Sequence, residues 1–308
     1  MAKVIGGRVL ELVIVFFGVT FVIYAMVFAL PGDPIRALAG ERPIAESTIA
    51  TLRAAYHLDD PLLVQYFRYL GGLFTGDFGT DFSGRPVGAQ ILRAWPVTLV
   101  LALSAWAIEI VVGLGLGLVA ALKRNTWIDR TILVTTILAT AIPVFVVGVS
   151  AQLLFGVRWG ILPVAGDKAG WPVAFILPAA VIALYGLAVV SRLMRSSVID
   201  NLGMDYVRTA RAKGLSRRRV VGVHVLRNSA IPAVTFLATD LGYLLGGAVV
   251  VEGIFNLPGI GNLLFGAIRS HEGPTVVGIS TALILVFLVT SVLVDLLHAA
   301  LDPRIRHD

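Results

Sequence analysis

Six long runs of apolar residues divide this chain, and each is long enough to cross a lipid bilayer as a helix. A spanning helix needs about 20 residues, and a backbone inside lipid must satisfy its own hydrogen bonds, as a helix does. The sequence therefore predicts an all-α polytopic membrane protein with six transmembrane helices. The runs are Val9–Leu30, Trp95–Leu122, Thr131–Phe155, Pro172–Val190, Pro232–Val251 and Val276–His298.

The composition of the chain agrees with this prediction. Of its 308 residues, 57% are hydrophobic and 14% are charged, whereas a soluble domain carries about 25% charged residues. The first run follows Lys3 and Arg8, as in a signal peptide, but its stretch of about 22 residues exceeds the roughly 7–15 apolar residues of such a signal. We therefore interpret it as an uncleaved span. The chain has no cysteine, which excludes disulfides, thiolate metal sites and cysteine nucleophiles.

The basic residues predict how the spans are oriented. Cytoplasmic loops of membrane proteins carry an excess of Lys and Arg. If the N-terminus lies inside, the inner segments hold 16 of the 25 basic residues, nine of them between Arg192 and Arg227. The sequence therefore predicts that both termini are cytoplasmic.

Three segments follow from this arrangement. Residues 1–30 form an N-terminal tip and the first span, and residues 31–94 form an external subdomain. Residues 95–308 form a core of five spans with a cytoplasmic loop at 192–231. The external subdomain begins at the sequence LPGDP (30–34), whose two prolines and glycine end the first span.

Short helices and two further external segments complete this organisation. We expect one helix over residues 47–56 with Ser47 as its N-cap, and another over residues 61–70. Residues 158–170 and 252–274 mix apolar residues with Gly and Pro. They fit either re-entrant hairpins, which are tolerated at membrane depth only inside protein or beside a cavity, or ordinary interfacial loops.

The densest positive charge lies in the elbow, which we define as residues 205–232, DYVRTARAKGLSRRRVVGVHVLRNSAIP. Good helix formers occupy Tyr206–Lys213, and Gly214 is a typical C-terminal stop. Ser216 is placed to cap a second helix that runs to about Asn228. The sequence therefore predicts two helices joined at a glycine, lying at the cytoplasmic mouth of the bundle.

The elbow offers both charge and close access to a partner. Because Ala210, Ala212 and Gly214 are small, a partner's surface can approach the backbone there. Anionic lipid would account for the charges but requires neither the glycine break nor the small residues. Nucleic acid is not indicated, because no aromatic platform accompanies the arginines. The donors available to carboxylates or phosphates are Arg208, Arg211, Lys213 and Arg217–Arg219.

The elbow resembles the cytoplasmic coupling loop of ABC-importer permeases. Arg208–Ala210 stands where that family has Glu-Ala-Ala, Gly214 takes the place of its glycine and Pro232 that of its terminal proline, although the glutamate is absent. The resemblance is to the dipeptide/oligopeptide/nickel branch and its DppB/OppB-type subunit, and it extends over nearly the whole chain. The further matching motifs are LPGDP (30–34), LDDPLLVQYFRYLGGLFTGDFG (58–79), RWGILPVAG (158–166), EGIFNLPGIGNLL (252–264) and LDPR (301–304).

The resemblance implies a fold, a mechanism and a set of partners. The fold would be that of a type I ABC importer permease in a bacterial plasma membrane, with an external helical insertion after the first span. The chain would pair with a second homologous permease, sit on two ATPase subunits and receive peptide from an external binding protein. Closure of the ATPases would move the spans through the elbow. The ATPase-coupling residues would be Arg208, Thr209, Ala210, Arg211, Lys213, Gly214 and Leu215.

The residues themselves indicate that the energy source lies elsewhere. The sequence contains no G-x-x-x-x-G-K-[ST] phosphate loop, so the energy source must lie in another chain or be an ion gradient. The resemblance implies that partner subunits hold ATP and Mg²⁺, and the chain itself is then expected to be no enzyme and to hold no cofactor. The triplet of Gly113, Gly115 and Gly117 is spaced differently and lies inside a predicted span. We interpret it as a small-residue face on which helices pack closely.

Three acidic residues lie inside predicted spans, where an ionisable group costs at least roughly 2.5 kcal/mol and usually faces a cavity or a partner. Asp240 is a candidate for lining the translocation path. Glu109 is a second candidate for the path, and both Glu109 and Asp295 are interpreted first as hydrogen-bonding groups between helices.

These carboxylates keep a rival class open, that of a proton-coupled secondary transporter. Inverted repeats with interrupted spans would favour that class, and none is evident in the sequence. An intramembrane enzyme would need a nucleophile–base or metal pair, and the five histidines show no such spacing. Cargo also stays open, because nickel chelates, haem and other small solutes use relatives of this scaffold.

Overall fold

The computed structural model describes residues 2–29, 35 and 45–301, and every regular element within them is helical. The expected motifs LPGDP (30–34) and most of LDPR (301–304) lie outside these residues, as does the side chain of Asp295. The helices are α1 (Ala2–Phe28), α2 (Glu46–Ala55), α3 (Leu62–Leu73), α4 (Val87–Leu122), α5 (Trp127–Ala141), α6 (Val144–Arg158), α7 (Val173–Leu202), α8 (Asp205–Ala212), α9 (Arg217–Ser229), α10 (Ile231–Phe255), α11 (Ile260–Arg269) and α12 (Gly273–Leu301).

The chain divides into two compact units. The first contains residues 1–98 and 258–308, and the second contains residues 99–257. In the first unit, α1 packs on α3 and α12 through a buried cluster that includes Tyr24 and Tyr66. In the second unit, α7 packs against α4, α5, α6 and α10. The second unit contains the whole elbow up to Pro232, so it carries the candidate site.

Four of the six expected spans correspond to unbroken apolar helices. These are Leu10–Phe28, Val87–Leu122, Val173–Leu202 and Gly273–Val294. The expected span Pro232–Val251 lies within α10. Between four and seven helices or bent helix pairs of the described chain meet the requirements of length and composition for a span, so the membrane class is confirmed and the number six stays a prediction.

The expected third span, Thr131–Phe155, is wrong as a single helix. It is divided between α5 and α6, whose axes differ by 104°. The cause is Pro143, which has no N–H to donate and disfavours the helical conformation of the residue before it. Ile142 accordingly has extended backbone angles, with φ −92° and ψ 128°.

In the segment that follows the first span, both short helices form close to where they were expected. The helix α2 begins at Glu46 and is preceded by Ala45, so the prediction of Ser47 as its N-cap is wrong. The helix α3 follows Pro61, which stands immediately before the first turn. Tyr69 of α3 donates a hydrogen bond to Thr281 Oγ1 of α12 at 2.8 Å, which fixes α3 on the first unit.

The segment 158–170 is held by hydrogen bonds to the end of α10. The Gly166 amide donates to the Phe255 carbonyl at 2.8 Å. Gln152 Nε2 of α6 donates to the carbonyls of Val164 at 2.6 Å and Ile254 at 3.2 Å. The segment 252–274 contains the end of α10 and the separate helix α11.

Candidate functional site

The first helix of the elbow ends as its sequence predicts. The helix α8 stops at Ala212, and Gly214 has φ +78°, a conformation that costs an L-residue roughly 1–2 kcal/mol. The Gly214 amide donates to the Arg211 carbonyl at 2.9 Å, and the Leu215 amide donates to the Ala210 carbonyl at 3.3 Å. These two hydrogen bonds form a Schellman motif, which satisfies the last carbonyls of the helix.

One face of the elbow is buried against the bundle. Val207 and Ala210 pack with Met194 and Val198 of α7 in an apolar cluster. Val220 of α9 lies in the same cluster and is 1% exposed. Because packed interiors have few voids and little compressibility, a force applied to the elbow reaches α7 directly.

The opposite face of the elbow is exposed and basic. Arg208 pairs with Asp205 at 3.3 Å, but both side chains are more than three-quarters exposed, so this pair contributes little. Within the described chain, no ion pair holds the other basic side chains of this face. The exposed residues of the expected coupling set are Arg208, Thr209, Arg211, Lys213 and Gly214.

Two members of the expected coupling set lie elsewhere. Ala210 is 6% exposed and contacts the chain's own bundle, and Leu215 is half-buried beside it. Of the three small residues that were expected to let a partner approach the backbone, only Ala212 and Gly214 are exposed.

The second elbow helix begins at the predicted cap. The Ser216 hydroxyl oxygen accepts a hydrogen bond from the Arg219 amide at 3.4 Å. The helix then contains a π-helical turn at Val220–Val225, and the Ser229 hydroxyl donates to the Ser197 carbonyl of α7 at 3.3 Å. Both helices of the elbow are thus joined to α7.

The two acidic candidates for the path lie together. A π-helical turn at Glu109–Gly113 places Glu109 inside the unit, fully buried, and π-turns of this kind often occur at functional sites. Asp240 of α10 is close enough for the two carboxyl charges to interact. Neither Glu109 oxygen has a hydrogen-bond partner among the described residues. Nothing in the sequence indicates that these two residues, 131 positions apart, form a pair.

A glycine on α7 makes room for this carboxyl group. A Cβ at Gly186 would overlap both oxygens of Glu109. Nothing near Gly186 in the sequence indicates this role, because the need for glycine arises from a side chain 77 residues away in the chain.

Two glycines of the triplet Gly113, Gly115 and Gly117 form the expected packing face. A Cβ at Gly113 would lie 2.9 Å from Val190 Cγ1, and a Cβ at Gly117 would lie 2.5 Å from the Ser191 carbonyl oxygen. Gly115 has no neighbour within 4 Å. The close contact between α4 and α7 therefore runs from the carboxyl pair toward the base of the elbow.

A buried ion pair joins α5 to α7. Arg195 Nε and Nη2 donate to Asp129 Oδ1 and Oδ2 at 2.5 and 2.8 Å. Asp129 Oδ2 also accepts from the Asn125 amide at 2.9 Å, so both carboxylate oxygens are bonded. The Asp129 side chain is 3% exposed. In the sequence Arg195 is only one of the nine basic residues between Arg192 and Arg227, and its pairing with Asp129 was not predicted.

Outside the spans, two carboxyl groups of the first unit respond differently to their surroundings. By itself, burial would raise the pKa of Asp81. The hydrogen bonds from Arg85 and Gln90, together with the Arg85 charge, outweigh this effect and hold the pKa below its usual value. Burial raises the pKa of Glu272, and the hydrogen bond from the Phe82 amide only partly offsets this effect.

Comparison with known proteins gives matches over the whole chain. A family model described as "binding-protein-dependent transport system inner membrane component" matches residues 113–307, and a model for the N-terminal part of such components matches residues 1–102. The dipeptide transport system permease protein DppB of Escherichia coli (strain K12) is 37% identical, with 95% of each chain covered. The glutathione transport system permease protein GsiC of Salmonella paratyphi A is 38% identical, with both chains fully covered.

Proposed function

The chain belongs to the family of binding-protein-dependent transport system inner membrane components, and we propose that it is the permease subunit of an ATP-driven importer of di- and oligopeptides. It is a multi-pass membrane protein. The relatives named for dipeptide and glutathione transport support a peptide cargo. Nickel chelates, haem and other small solutes are the alternative cargoes.

The elbow is the observation that carries this proposal. It presents an exposed basic surface on a base that is buried in the bundle. Exposed Arg and Lys side chains can bind carboxylates of a partner, and the buried base would pass the partner's movement to α7. The partners would be two ATPase subunits that hold ATP and Mg²⁺, a second permease and an external binding protein. Both termini would be cytoplasmic.

A proton-coupled secondary transporter is the second candidate, and the carboxyl pair of Glu109 and Asp240 favours it. Buried acidic residues inside spans often mark ion or proton pathways. In the importer, the same pair would line the translocation path or hold α4 and α10 together. The two functions differ in their energy source. Uptake that requires ATP supports the importer. Uptake that continues without ATP and is abolished by a protonophore supports the secondary transporter.

Charge reversal on the elbow tests the importer. The assembly is purified through this chain and reconstituted into liposomes, with ATP inside and a radiolabelled dipeptide plus binding protein outside. We expect Arg211→Glu with Lys213→Glu to abolish both co-purification of the ATPase subunits and ATP-dependent uptake. Lys168→Glu reverses an exposed charge in the segment 158–170 and should leave co-purification of the ATPase subunits unchanged. If the elbow variant retained its ATPase subunits and full uptake, the docking role of the elbow would be refuted.

A further inference from the structure

The helix α7 meets several other elements over a short stretch, residues 191–198. Met194 and Val198 pack beneath the elbow. The Ser191 carbonyl and Met194 lie against Gly117 of α4. The Ser197 carbonyl accepts the hydrogen bond from Ser229 at the end of the elbow's second helix. Residues 191–198 are therefore the part of α7 that a movement of the elbow would displace first.

The helix α5 is attached to the same stretch by polar contacts. Arg195 binds both oxygens of Asp129. One turn earlier on α7, Arg192 Nη1 donates to the Thr136 carbonyl at 3.4 Å. The Asp129 carboxylate also holds the Asn125 amide, which anchors the turn that precedes α5.

We infer that Arg195 and Asp129 are the positioning pair that makes α5 follow the elbow during transport. This inference rests on the proposed function. Apolar contacts are non-directional, so they allow one helix to slide or rotate on another. A guanidinium bound to a carboxylate through two parallel hydrogen bonds fixes both distance and orientation. The pair therefore carries rotation of α7 into α5, the helix that ends at the Pro143 break.

The inference requires arginine at position 195. Lysine would keep the charge but present a single ammonium group in place of the two-pronged guanidinium. The orientation of α5 on α7 would then be free while the buried carboxylate still had a cation beside it. Arg195→Lys thus separates the positioning role from the simple neutralisation of Asp129.

Because the chain has no cysteine, two introduced cysteines can carry spin labels without further changes. Met204→Cys lies immediately before α8, and Ile137→Cys lies on α5. Both native side chains are at least half exposed. The distance between the labels is measured in the complete assembly, without nucleotide and with ATP trapped. With Arg195 and Asp129 unaltered, we expect the distance between the labels to be the same in both states. In the variants Arg195→Lys and Asp129→Asn, we expect this distance to differ between the two states.

Uptake of a radiolabelled dipeptide per ATP hydrolysed is the second readout. We expect it to fall in Arg195→Lys by roughly two- to thirty-fold, the range of coupling effects for residues that touch neither ligand. The inference would be overturned if the distance between the labels changed between the states with Arg195 and Asp129 unaltered. It would also be overturned if the variants kept both an unchanging distance and the normal uptake per ATP hydrolysed. If the ATPase subunits do not bind the unaltered chain at all, the proposed function fails and the inference falls with it.

Discussion

Replacing Gly117 by alanine tests the close packing of α4 on α7. The added Cβ would lie 2.5 Å from the Ser191 carbonyl oxygen and 2.6 Å from Met194 Cβ. The first of these atoms belongs to the backbone of α7 and the second is attached directly to it, so neither can rotate away. The helices must separate to admit the methyl group.

The cost of this separation can be set against the gain in helix propensity. Overpacking a well-packed interior costs about 1–3 kcal/mol, and alanine is favoured over glycine within a helix by about 1 kcal/mol. Since backbone obstructs the new methyl group, we expect the upper part of the first range. The variant Gly117→Ala should therefore lose about 1–2 kcal/mol of stability.

Two other glycines of α4 supply matched controls. Gly115→Ala places a methyl group where nothing lies within 4 Å, so it should be neutral or slightly stabilising. Gly113→Ala meets Val190 Cγ1 at 2.9 Å, and the nearest backbone atom, the Leu187 carbonyl oxygen, lies at 3.3 Å. This backbone atom is farther away than the one at position 117, so the effect of Gly113→Ala should lie between the other two. The assay is thermal unfolding of the purified chain in detergent, followed by tryptophan fluorescence.

The order of the unfolding midpoints is the decisive result. The midpoint should be lowest for Gly117→Ala, higher for Gly113→Ala and highest for Gly115→Ala. Equal midpoints for Gly117→Ala and Gly115→Ala would refute the reasoning, because the two substitutions differ only in what the methyl group meets.

Two further predictions concern the elbow and the carboxyl groups of Asp81 and Glu272. Gly214→Val should destabilise the elbow and reduce uptake because valine resists φ +78°, whereas Gly214→Asn should retain most activity because asparagine tolerates that conformation; equal loss in both would show that the conformation is not what matters. The lowered pKa of Asp81 predicts stability that is present above its unfolded value of 3.8 and is lost as the pH falls below it. The raised pKa of Glu272 predicts the opposite sign, with stability present below 4.5 and lost as the pH rises through the folded value. Unfolding midpoints against pH check both, since Asp81→Asn and Glu272→Gln should each remove one of these slopes.

The local features of the elbow could be predicted from sequence because they depend on neighbouring residues. Gly214 ends α8 and Ser216 caps α9 through hydrogen bonds that span five residues or fewer. The inward face was only partly foreseen, because burial of Ala210 depends on Met194 and Val198 of another helix.

The prolines show why span boundaries were less certain. Three prolines lie past the first residue of an expected span, and only Pro143 breaks its helix. Pro96 lies inside α4 and Pro178 inside α7. Whether a helix continues through proline depends on what else satisfies the freed carbonyl, and that is set by packing which a single sequence does not reveal.

The paired carboxylates show a different limit. Glu109 and Asp240 were each recognisable as costly residues inside a span, but their proximity depends on the packing of α4 and α10. Asp129 and Arg195 were hidden for a further reason, since both lie near span ends where a charge needs no special explanation. In both pairs the sequence shows the charged residues but not that they contact each other.

The break at Pro143 restricts what can surround this part of the chain. The last carbonyls of α5 and the first amides of α6 lack partners within their own helices, and hydrocarbon tails offer none. Ile142 and Val144, which flank the break, are exposed on the surface of the single chain. Where α5 and α6 cross the membrane as one bent span, water or another polypeptide must border the break, and a lone copy dissolved in lipid would be forced to thin or hydrate the bilayer there.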